Sequence, residues 1–235
     1  FCIKADVLCD DVKSFLTDSF TCCDNLVIDA HKLAENLSDG PHTIKVIKRT
    51  NARSSTAGVG RLVLMGGTVL EPEQPKERLI EFLGDSLTVG YVAGKGGKTA
   101  GAWSTMTEDV TGTYCPQIAN AFDAQYQVVA VSGCGIVRNN GGDTEMLFPE
   151  IYPQVDPFNH PGVPCDFAVQ PDVVVVNLGT NDESAANENL PPEEFRQGLY
   201  GFLNMDLSTL YRYVDGREDM NVWDIYFSDA QCFVD

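Results

Sequence analysis

The chain has 235 residues, of which 43% are hydrophobic and 21% charged. These proportions are typical of a globular protein and exclude an intrinsically disordered one. The formal net charge is −18 at pH 7, and because so acidic a surface repels nucleic-acid phosphates and anionic lipid headgroups, we expect neither as a partner.

Eight cysteines are many for this length, and an even number is typical of disulfide-bonded proteins in an oxidising compartment. No CxxC pair is present, which favours disulfides, although free thiols or a metal site remain alternatives and the pairing stays open. The cysteines are Cys2, Cys9, Cys22, Cys23, Cys115, Cys134, Cys165 and Cys232. The sequon Asn36-Leu37-Ser38 also suits a secreted glycoprotein, so we expect an extracellular protein with Asn36 as its candidate glycosylation site.

The chain contains no candidate membrane span, because no apolar run approaches the roughly 18 residues that one requires. It begins at Phe1 and lacks the charged-then-apolar pattern of a signal peptide. We therefore expect a processed or trimmed chain.

Residues 1–70 are predicted to form a β-rich domain that is incomplete at its N-terminus. Thr43–Arg49 alternates polar and apolar residues at period two, which predicts a half-buried strand, and Arg61–Met65 is a second, shorter strand candidate. Residues 71–77 are polar and contain two prolines, which predicts a linker. We place the domain boundary there, followed by a second domain over residues 78–235 that we expect to be incomplete at its C-terminus.

The second domain is predicted to alternate strands and helices, which implies an α/β fold with a parallel sheet. Asp172–Leu178 is a β-branched run of the kind buried on both faces of such a sheet. The predicted strands are Leu79–Leu83, Gln127–Val131, Asp172–Leu178 and Val222–Phe227. The predicted helices are Thr113–Ala124 and a segment from Pro191 to about Val214. The glycine-rich segment Gly94–Ala102 is predicted to be a loop.

Three of these strands end in short motifs that contain glycine: Gly84-Asp85-Ser86, Ser132-Gly133-Cys134-Gly135 and Gly179-Thr180-Asn181-Asp182. In a parallel sheet, functional groups gather just past the carboxyl ends of the strands. A nucleophilic serine needs a tight turn that exposes its hydroxyl, with N–H groups nearby for the developing oxyanion. Each motif alone could be an ordinary turn, a packing glycine or a helix cap. Their occurrence together favours a catalytic site.

These motifs resemble three sequence blocks of the SGNH/GDSL hydrolases. The resemblance implies that Ser86 is the nucleophile and that the oxyanion is held by the Ser86 N–H, the Gly133 N–H and the Asn181 side chain. It also implies supporting roles for the motif residues Gly84, Asp85, Gly179 and Asp182.

A wider resemblance covers about residues 27–215. The segments DGPHTIKVIKRT at 39–50, IEFLGDSLTVGY at 80–91 and VSGCGIVRNNGGD at 131–143 are similar to carbohydrate esterase family two. The resemblance implies a three-layer α/β/α fold, in which a parallel sheet lies between two layers of helices. A small, jelly-roll-like β-sandwich is expected to precede it. The resemblance also implies removal of O-acetyl groups from carbohydrates, as in acetyl xylan esterases, without a metal or cofactor.

The chain departs from the family in its histidines. The family's general base is a histidine in a block after the last strand, but the histidines here are His31, His42 and His160, which all precede Asn181. We expect the base to lie in a segment C-terminal to residue 235, with His160 as the alternative candidate. An inactive glycan-binding or structural protein that retains the fold is the competing hypothesis.

Tyr91 and Trp103 lie close to Ser86 in sequence and could stack on a sugar ring. They could equally pack beneath the loop that follows the nucleophile. We take them as candidate substrate-binding residues.

Overall fold

The computed structural model describes residues 33–43, 46–54, 67–71, 74–94 and 103–210, with side chains up to residue 203. The strands and helices in chain order are β1 (Arg78–Gly84), α1 (Ser86–Val89), α2 (Tyr114–Ala121), β2 (Ala124–Ala130), α3 (Phe148–Ile151), β3 (Val173–Asn177) and α4 (Pro192–Leu210). Two single 3-10 turns lie at Val110–Gly112 and Ala185–Asn187.

The three strands form a parallel sheet in the order β2-β1-β3. Gly84 at the end of β1 is in register with Ala130 of β2 and with Asn177 of β3. The carboxyl ends of the strands are therefore level, and the segments that follow them start from one edge of the sheet.

Helices cover both faces of this sheet. On one face, Ile80 and Phe82 of β1 share a buried cluster with Cys115 of α2. On the other face, Leu83 shares a larger cluster with Phe148 of α3 and with residues of α4. The alternation of β1 side chains between the two clusters is that of a strand buried on both sides. The predicted three-layer α/β/α arrangement is thus confirmed.

The elements predicted for the described part of the second domain are present, with small shifts at their ends. Helix α2 begins after Thr113, whose hydroxyl accepts the Cys115 N–H at 3.3 Å, as an N-cap does. It ends at Ala121 and not at Ala124, because Asp123 adopts a left-handed φ of 48° and Ala124 already pairs with β1. The segment from Pro192 is helical to Leu210, and the strand predicted at residues 222–227 lies outside the described residues.

The strand predicted over Thr43–Arg49 is not found at the described positions of that segment, which are residue 43 and residues 46–49. Arg49 instead accepts the Val110 N–H at its carbonyl oxygen (3.2 Å), and its guanidinium bonds to Asp109 at 3.1 Å. This segment therefore pairs with a loop of the second domain. Residues 61–65 lie outside the described residues, and the β-sandwich and the domain boundary stay predictions.

The three described cysteines carry free thiols, so the disulfide prediction does not hold for them. Cys115 belongs to the core cluster on one face of the sheet and Cys134 to the cluster on the opposite face. The sheet itself therefore separates these two thiols. The remaining five cysteines lie outside the described residues. No described helix combines the length and apolarity that crossing a membrane demands.

Candidate active site at the carboxyl edge of the sheet

Ser86 is the first residue of α1, directly after the turn that ends β1. The turn is tight because Gly84 lies against the new helix: a Cβ on Gly84 would be 1.9 Å from Oγ1 of Thr88 and 3.1 Å from the carbonyl oxygen of Asn177. Only glycine fits this position. Ser86 is half-buried, as expected for a nucleophile at the edge of the sheet.

Asp85 is fully buried beside Ser86 and shapes this turn. Its Oδ1 accepts the Leu87 N–H at 3.0 Å, and its Oδ2 accepts the Asn181 side-chain amide at 3.2 Å. Burial raises the pKa of the Asp85 carboxyl, and the nearby negative charge of Asp182 raises it further. Asp85 thus joins the nucleophile turn to the motif after β3.

Asn181 connects all three strand ends. Besides its bond to Asp85, its amide donates to the carbonyl oxygen of Cys134 at 2.8 Å. Its neighbours are therefore the residue before Ser86 and the residue after Gly133. Both amide hydrogens already have protein partners. An oxyanion would therefore accept the hydrogen that is now bonded to Asp85, because that hydrogen bond is the longer of the two.

Gly133 follows β2 with a left-handed φ of 77°. No atom lies within 4 Å of the position that a Cβ would take there, so its backbone conformation and not crowding favours glycine. The structure brings Ser86, Gly133 and Asn181 to one edge of the sheet. Their roles toward an oxyanion stay a prediction.

Asp182 holds the loop after β2 in place. It is 1% exposed, and its carboxylate accepts three consecutive backbone N–H groups, those of Ile136 (3.0 Å), Val137 (2.7 Å) and Arg138 (3.0 Å). Bonds of this charge-assisted kind are stronger than neutral ones. The conformation of the loop that carries Gly133 therefore depends on a residue of the third motif.

Gly179, at the start of the third motif, has φ 115° and faces α4. A Cβ there would lie 3.1 Å from the Phe195 ring. Both the backbone conformation and the close approach of α4 therefore favour glycine.

A polar network beneath the nucleophile turn was not predicted from the sequence. The hydroxyl of Tyr114 lies 2.7 Å from Oγ1 of Thr88 and accepts the Asn177 amide at 3.2 Å. Burial raises the pKa of the Tyr114 hydroxyl, which therefore stays protonated at neutral pH. No motif marked Tyr114, because it stands in what reads as an ordinary helix.

Tyr91 and Trp103 stack on each other with ring centroids 5.7 Å apart and planes 19° apart. They are 41% and 40% exposed. The Tyr91 N–H donates to the Ser86 carbonyl oxygen at 3.1 Å. The aromatic pair therefore lies beside α1, the nucleophile helix, which begins at Ser86. The two rings are neither fully buried nor free of the protein, and a substrate-binding role stays a prediction.

The two described histidines bond within their own loops. His42 bonds to the Ser38 carbonyl oxygen at 2.8 Å. His160 bonds to Asp156 at 2.9 Å with its side chain 74% exposed, and this bond lowers the pKa of the Asp156 carboxyl. Neither histidine bonds to a residue of the three strand-end motifs. His31 lies outside the described residues.

Two further observations bear on ligands. Within the part of the chain that the structure describes, no cluster of His, Cys, Asp and Glu could hold a metal ion. Asn36 of the sequon is exposed, with φ 55°.

Known proteins similar to this chain include carbohydrate-active enzymes, although no protein-family model matches it. The cellulase/esterase CelE of Acetivibrio thermocellus is 33% identical over 168 residues, which are 69% of this chain and 20% of that protein. An acetylxylan esterase/glucomannan deacetylase of Cellvibrio japonicus is 36% identical over 170 residues, which are 66% of this chain and 44% of that protein. The chain thus spans less than half the length of these curated relatives.

A solved structure gives the same result at the level of the fold. It is a family two carbohydrate esterase from Clostridium thermocellum in complex with cellohexaose, 31% identical to this chain, with a TM-score of 0.53. The match covers 59% of this chain and 41% of that one. The chain is therefore related to the family two carbohydrate esterases and has their SGNH type of α/β fold, as the strand-end motifs indicated.

Proposed function

We propose that this chain carries the nucleophile and the oxyanion-binding part of a serine esterase that removes O-acetyl groups from carbohydrates. The bridge made by Asn181 carries the proposal, because it ties the residue beside Ser86 to the residue beside Gly133. Three strand ends would thereby supply the nucleophile and the oxyanion donors of an acyl transfer. A relative named as an acetylxylan esterase/glucomannan deacetylase supports an acetylated carbohydrate as the substrate.

In this mechanism the Ser86 Oγ attacks the acetyl carbonyl carbon while its proton passes to a histidine base, for which the family resemblance implies a position after the last strand. The carbonyl electron pair moves onto oxygen, where the N–H groups of Ser86 and Gly133 and the Asn181 amide stabilise it. The C–O bond to the sugar then breaks, and the sugar oxygen takes the proton from the base. Water attacks the acetyl-serine in the second half-reaction, releasing acetate and restoring Ser86.

The surroundings of Ser86 favour a neutral substrate. Asp85 and Asp182 are buried close to the site, and the chain carries a net charge of −18. A field of this sign disfavours anionic ligands, whereas an acetylated neutral sugar is unaffected by it. Tyr91 and Trp103 offer partly exposed aromatic surface beside Ser86 for a sugar ring.

We further propose that the protein is secreted and glycosylated at Asn36. The exposed position of Asn36 in the sequon supports this, because an oligosaccharide needs a surface loop. Mass spectrometry of protein secreted from a eukaryotic host, with Asn36→Gln as the control, would show the glycan or its absence.

The direct test of the function uses the natural full-length protein. We expect a fluorophosphonate probe to label Ser86 and the protein to release acetate from acetylated xylan and from 4-nitrophenyl acetate. The variant Ser86→Ala should lose both signals, while Thr68→Ala, which removes an exposed hydroxyl outside the motifs and the sequon, should keep them. Absence of labelling and of acetate release would refute the esterase. Glycan binding without release would favour the non-catalytic alternative.

A further inference from the structure

A fully buried carboxylate, Glu108, lies outside the three motifs and gathers donors from two distant parts of the chain. Its Oε1 accepts the backbone N–H of Asn51 and the Asn51 side-chain amide, the latter at 3.0 Å. Its Oε2 accepts the Trp103 indole N–H at 2.9 Å and the Ser54 hydroxyl at 3.3 Å. Burying a carboxylate is costly unless it is hydrogen-bonded, and here both oxygens are used.

The backbone around Glu108 is tied to the segment that follows the nucleophile helix. The Gly94 N–H donates to the Thr107 carbonyl oxygen at 2.8 Å, and the Asp109 N–H donates to the Gly90 carbonyl oxygen at 2.9 Å. These bonds flank Glu108 on both sides. Its carboxylate is thus held in a defined position relative to the end of α1.

Three contacts connect Glu108 to Ser86, the first residue of α1. Its Oε2 holds the indole of Trp103, Trp103 stacks on Tyr91, and the Tyr91 N–H donates to the Ser86 carbonyl oxygen. Trp103 is still 40% exposed although its only polar atom, the indole nitrogen, is bonded to a buried group. The buried bond fixes the orientation of a ring whose remaining surface is open to solvent.

The other donors come from a turn that also reaches the second motif. The Asn51 side-chain oxygen accepts the N–H groups of Arg53 (2.9 Å) and Ser54 (3.1 Å), which makes the turn compact. The guanidinium of Arg53 donates to the Ser132 carbonyl oxygen at 3.3 Å, next to Gly133. One turn, which precedes the predicted linker, therefore contacts both the loop of Glu108 and the strand end that carries Gly133.

We propose that Glu108 is a positioning residue: it joins the turn at residues 51–54 to the rim of the active site and fixes Trp103 for the sugar part of the substrate. This inference rests on the proposed function for its substrate, but the fixed orientation of Trp103 does not depend on it. It also makes the turn at residues 51–54 part of the working esterase.

The kinetic test compares Glu108→Gln and Trp103→Phe with the wild-type full-length protein. Gln removes one acceptor and places an N–H group among donors, and Phe keeps a ring but lacks the indole N–H. We expect the KM for acetylated xylan to rise about 10-fold in each variant, the effect of losing one hydrogen bond to a charged group. The kcat/KM for 4-nitrophenyl acetate, which has no sugar, should change less than about twofold. Unchanged KM values for xylan would overturn the proposal.

The spectroscopic test is independent of activity. Residues 1–235 contain two tryptophans, Trp103 and Trp223, so a full-length protein in which Trp223 and any tryptophan outside these residues are replaced by Phe keeps Trp103 as its single indole. In that background we expect acrylamide to quench the Trp103 fluorescence more strongly in Glu108→Gln. Met106→Gln, at an exposed residue of the same loop, should leave the quenching unchanged. Equal quenching in all three proteins would overturn the proposal even if the esterase is confirmed. If Glu108→Gln does not fold, Ser54→Ala, which removes a single donor, replaces it in both tests.

Discussion

The side-chain amide of Asn181 donates to the carboxylate of Asp85 across the carboxyl edge of the sheet, at 3.2 Å. Asp85 is the residue before the candidate nucleophile, and Asn181 is the candidate oxyanion donor from the third motif. The same carboxylate caps the first turn of α1 through the Leu87 N–H. One buried side chain therefore sets both the direction of the nucleophile helix and the orientation of an oxyanion donor.

Replacing Asp85 with Asn should lower kcat more than it raises KM. The new amide can still cap the Leu87 N–H, but its NH2 group would face the NH2 group of Asn181 and displace it. We expect kcat for 4-nitrophenyl acetate to fall about 100-fold, the usual cost of losing one oxyanion donor. Steady-state kinetics give kcat and KM separately.

The matched control for this change is Glu183→Gln, which removes a negative charge at an exposed position two residues from Asn181. It should leave kcat within about twofold, because an exposed charge is screened by solvent. Equal losses in the two variants would show that net charge, and not the bond to Asn181, is what matters.

Replacing Asp182 with Asn should destabilise the fold. Oδ1 of Asp182 accepts the Val137 and Arg138 N–H groups and Oδ2 accepts the Ile136 N–H. An amide oxygen in place of Oδ1 would keep two of these bonds, but the NH2 group would then face the Ile136 N–H, donor against donor. We expect the free energy of unfolding to fall by about 2 kcal/mol. Urea denaturation measures it, with Asp166→Asn as the control, since exposed Asp166 accepts a single backbone N–H. An equal, small effect in both variants would contradict this account of the loop.

The strand-end motifs predicted which residues lie together at this edge of the sheet, because the turn and the strand end that carry each motif are local features. A strand followed by Gly84-Asp85-Ser86 already contains the turn, and the level ends of parallel strands bring Gly133 and Asn181 to the same edge. Glu108 and its partner Asn51 could not be predicted in this way. They are 57 residues apart, and neither stands in a periodic pattern or a motif. The alternation at residues 43–49 was misleading for a related reason, since period two predicts an extended segment but not its partner.

The glycines of the site should differ in how they tolerate alanine. A Cβ on Gly84 would overlap Oγ1 of Thr88, so Gly84→Ala should cost about 3 kcal/mol. Gly133 has open space but a left-handed φ, so Gly133→Ala should cost about 1–2 kcal/mol. Gly201 lies in α4, with open space around it and no left-handed φ. Gly201→Ala should therefore raise the free energy of unfolding by about 0.5–1 kcal/mol. Urea denaturation of the three variants would test this order, and a cost at Gly84 no greater than that at Gly133 would contradict it.

The histidines described in the structure should be dispensable for the chemistry. His160 is exposed and paired with Asp156, so we expect His160→Gln to change kcat less than about twofold, as should His42→Gln. Losing a general base costs about 100-fold or more. A loss of that size in His160→Gln alone would identify His160 as the base and refute a base in the C-terminal block. Initial rates of acetate release from the full-length protein measure this.

Glu81 should make the fold less stable as pH rises. It is 4% exposed in the middle of β1, where its carboxyl accepts the Tyr152 hydroxyl at 2.8 Å and the Gln127 amide at 2.6 Å. Burial raises the pKa of the Glu81 carboxyl above 4.5, and the two hydrogen bonds offset this only in part. The folded protein therefore keeps a proton that the unfolded chain has released, so raising the pH from about 4.5 through the folded-state pKa favours unfolding.

The variant Glu81→Gln removes this titration and keeps an oxygen for Gln127 and an N–H for Tyr152. We expect it to be more stable than the wild type at pH 8, with the difference shrinking as the pH falls toward 4.5. Urea denaturation at several pH values measures the free energy of unfolding of both proteins. The contributions of the other carboxyls are the same in both and cancel in the difference. Glu77→Gln, at an exposed position before β1, should give a difference that does not vary with pH. A wild type that is the more stable of the two at pH 8 would mean that the Glu81 carboxylate is held better in the folded protein than in water.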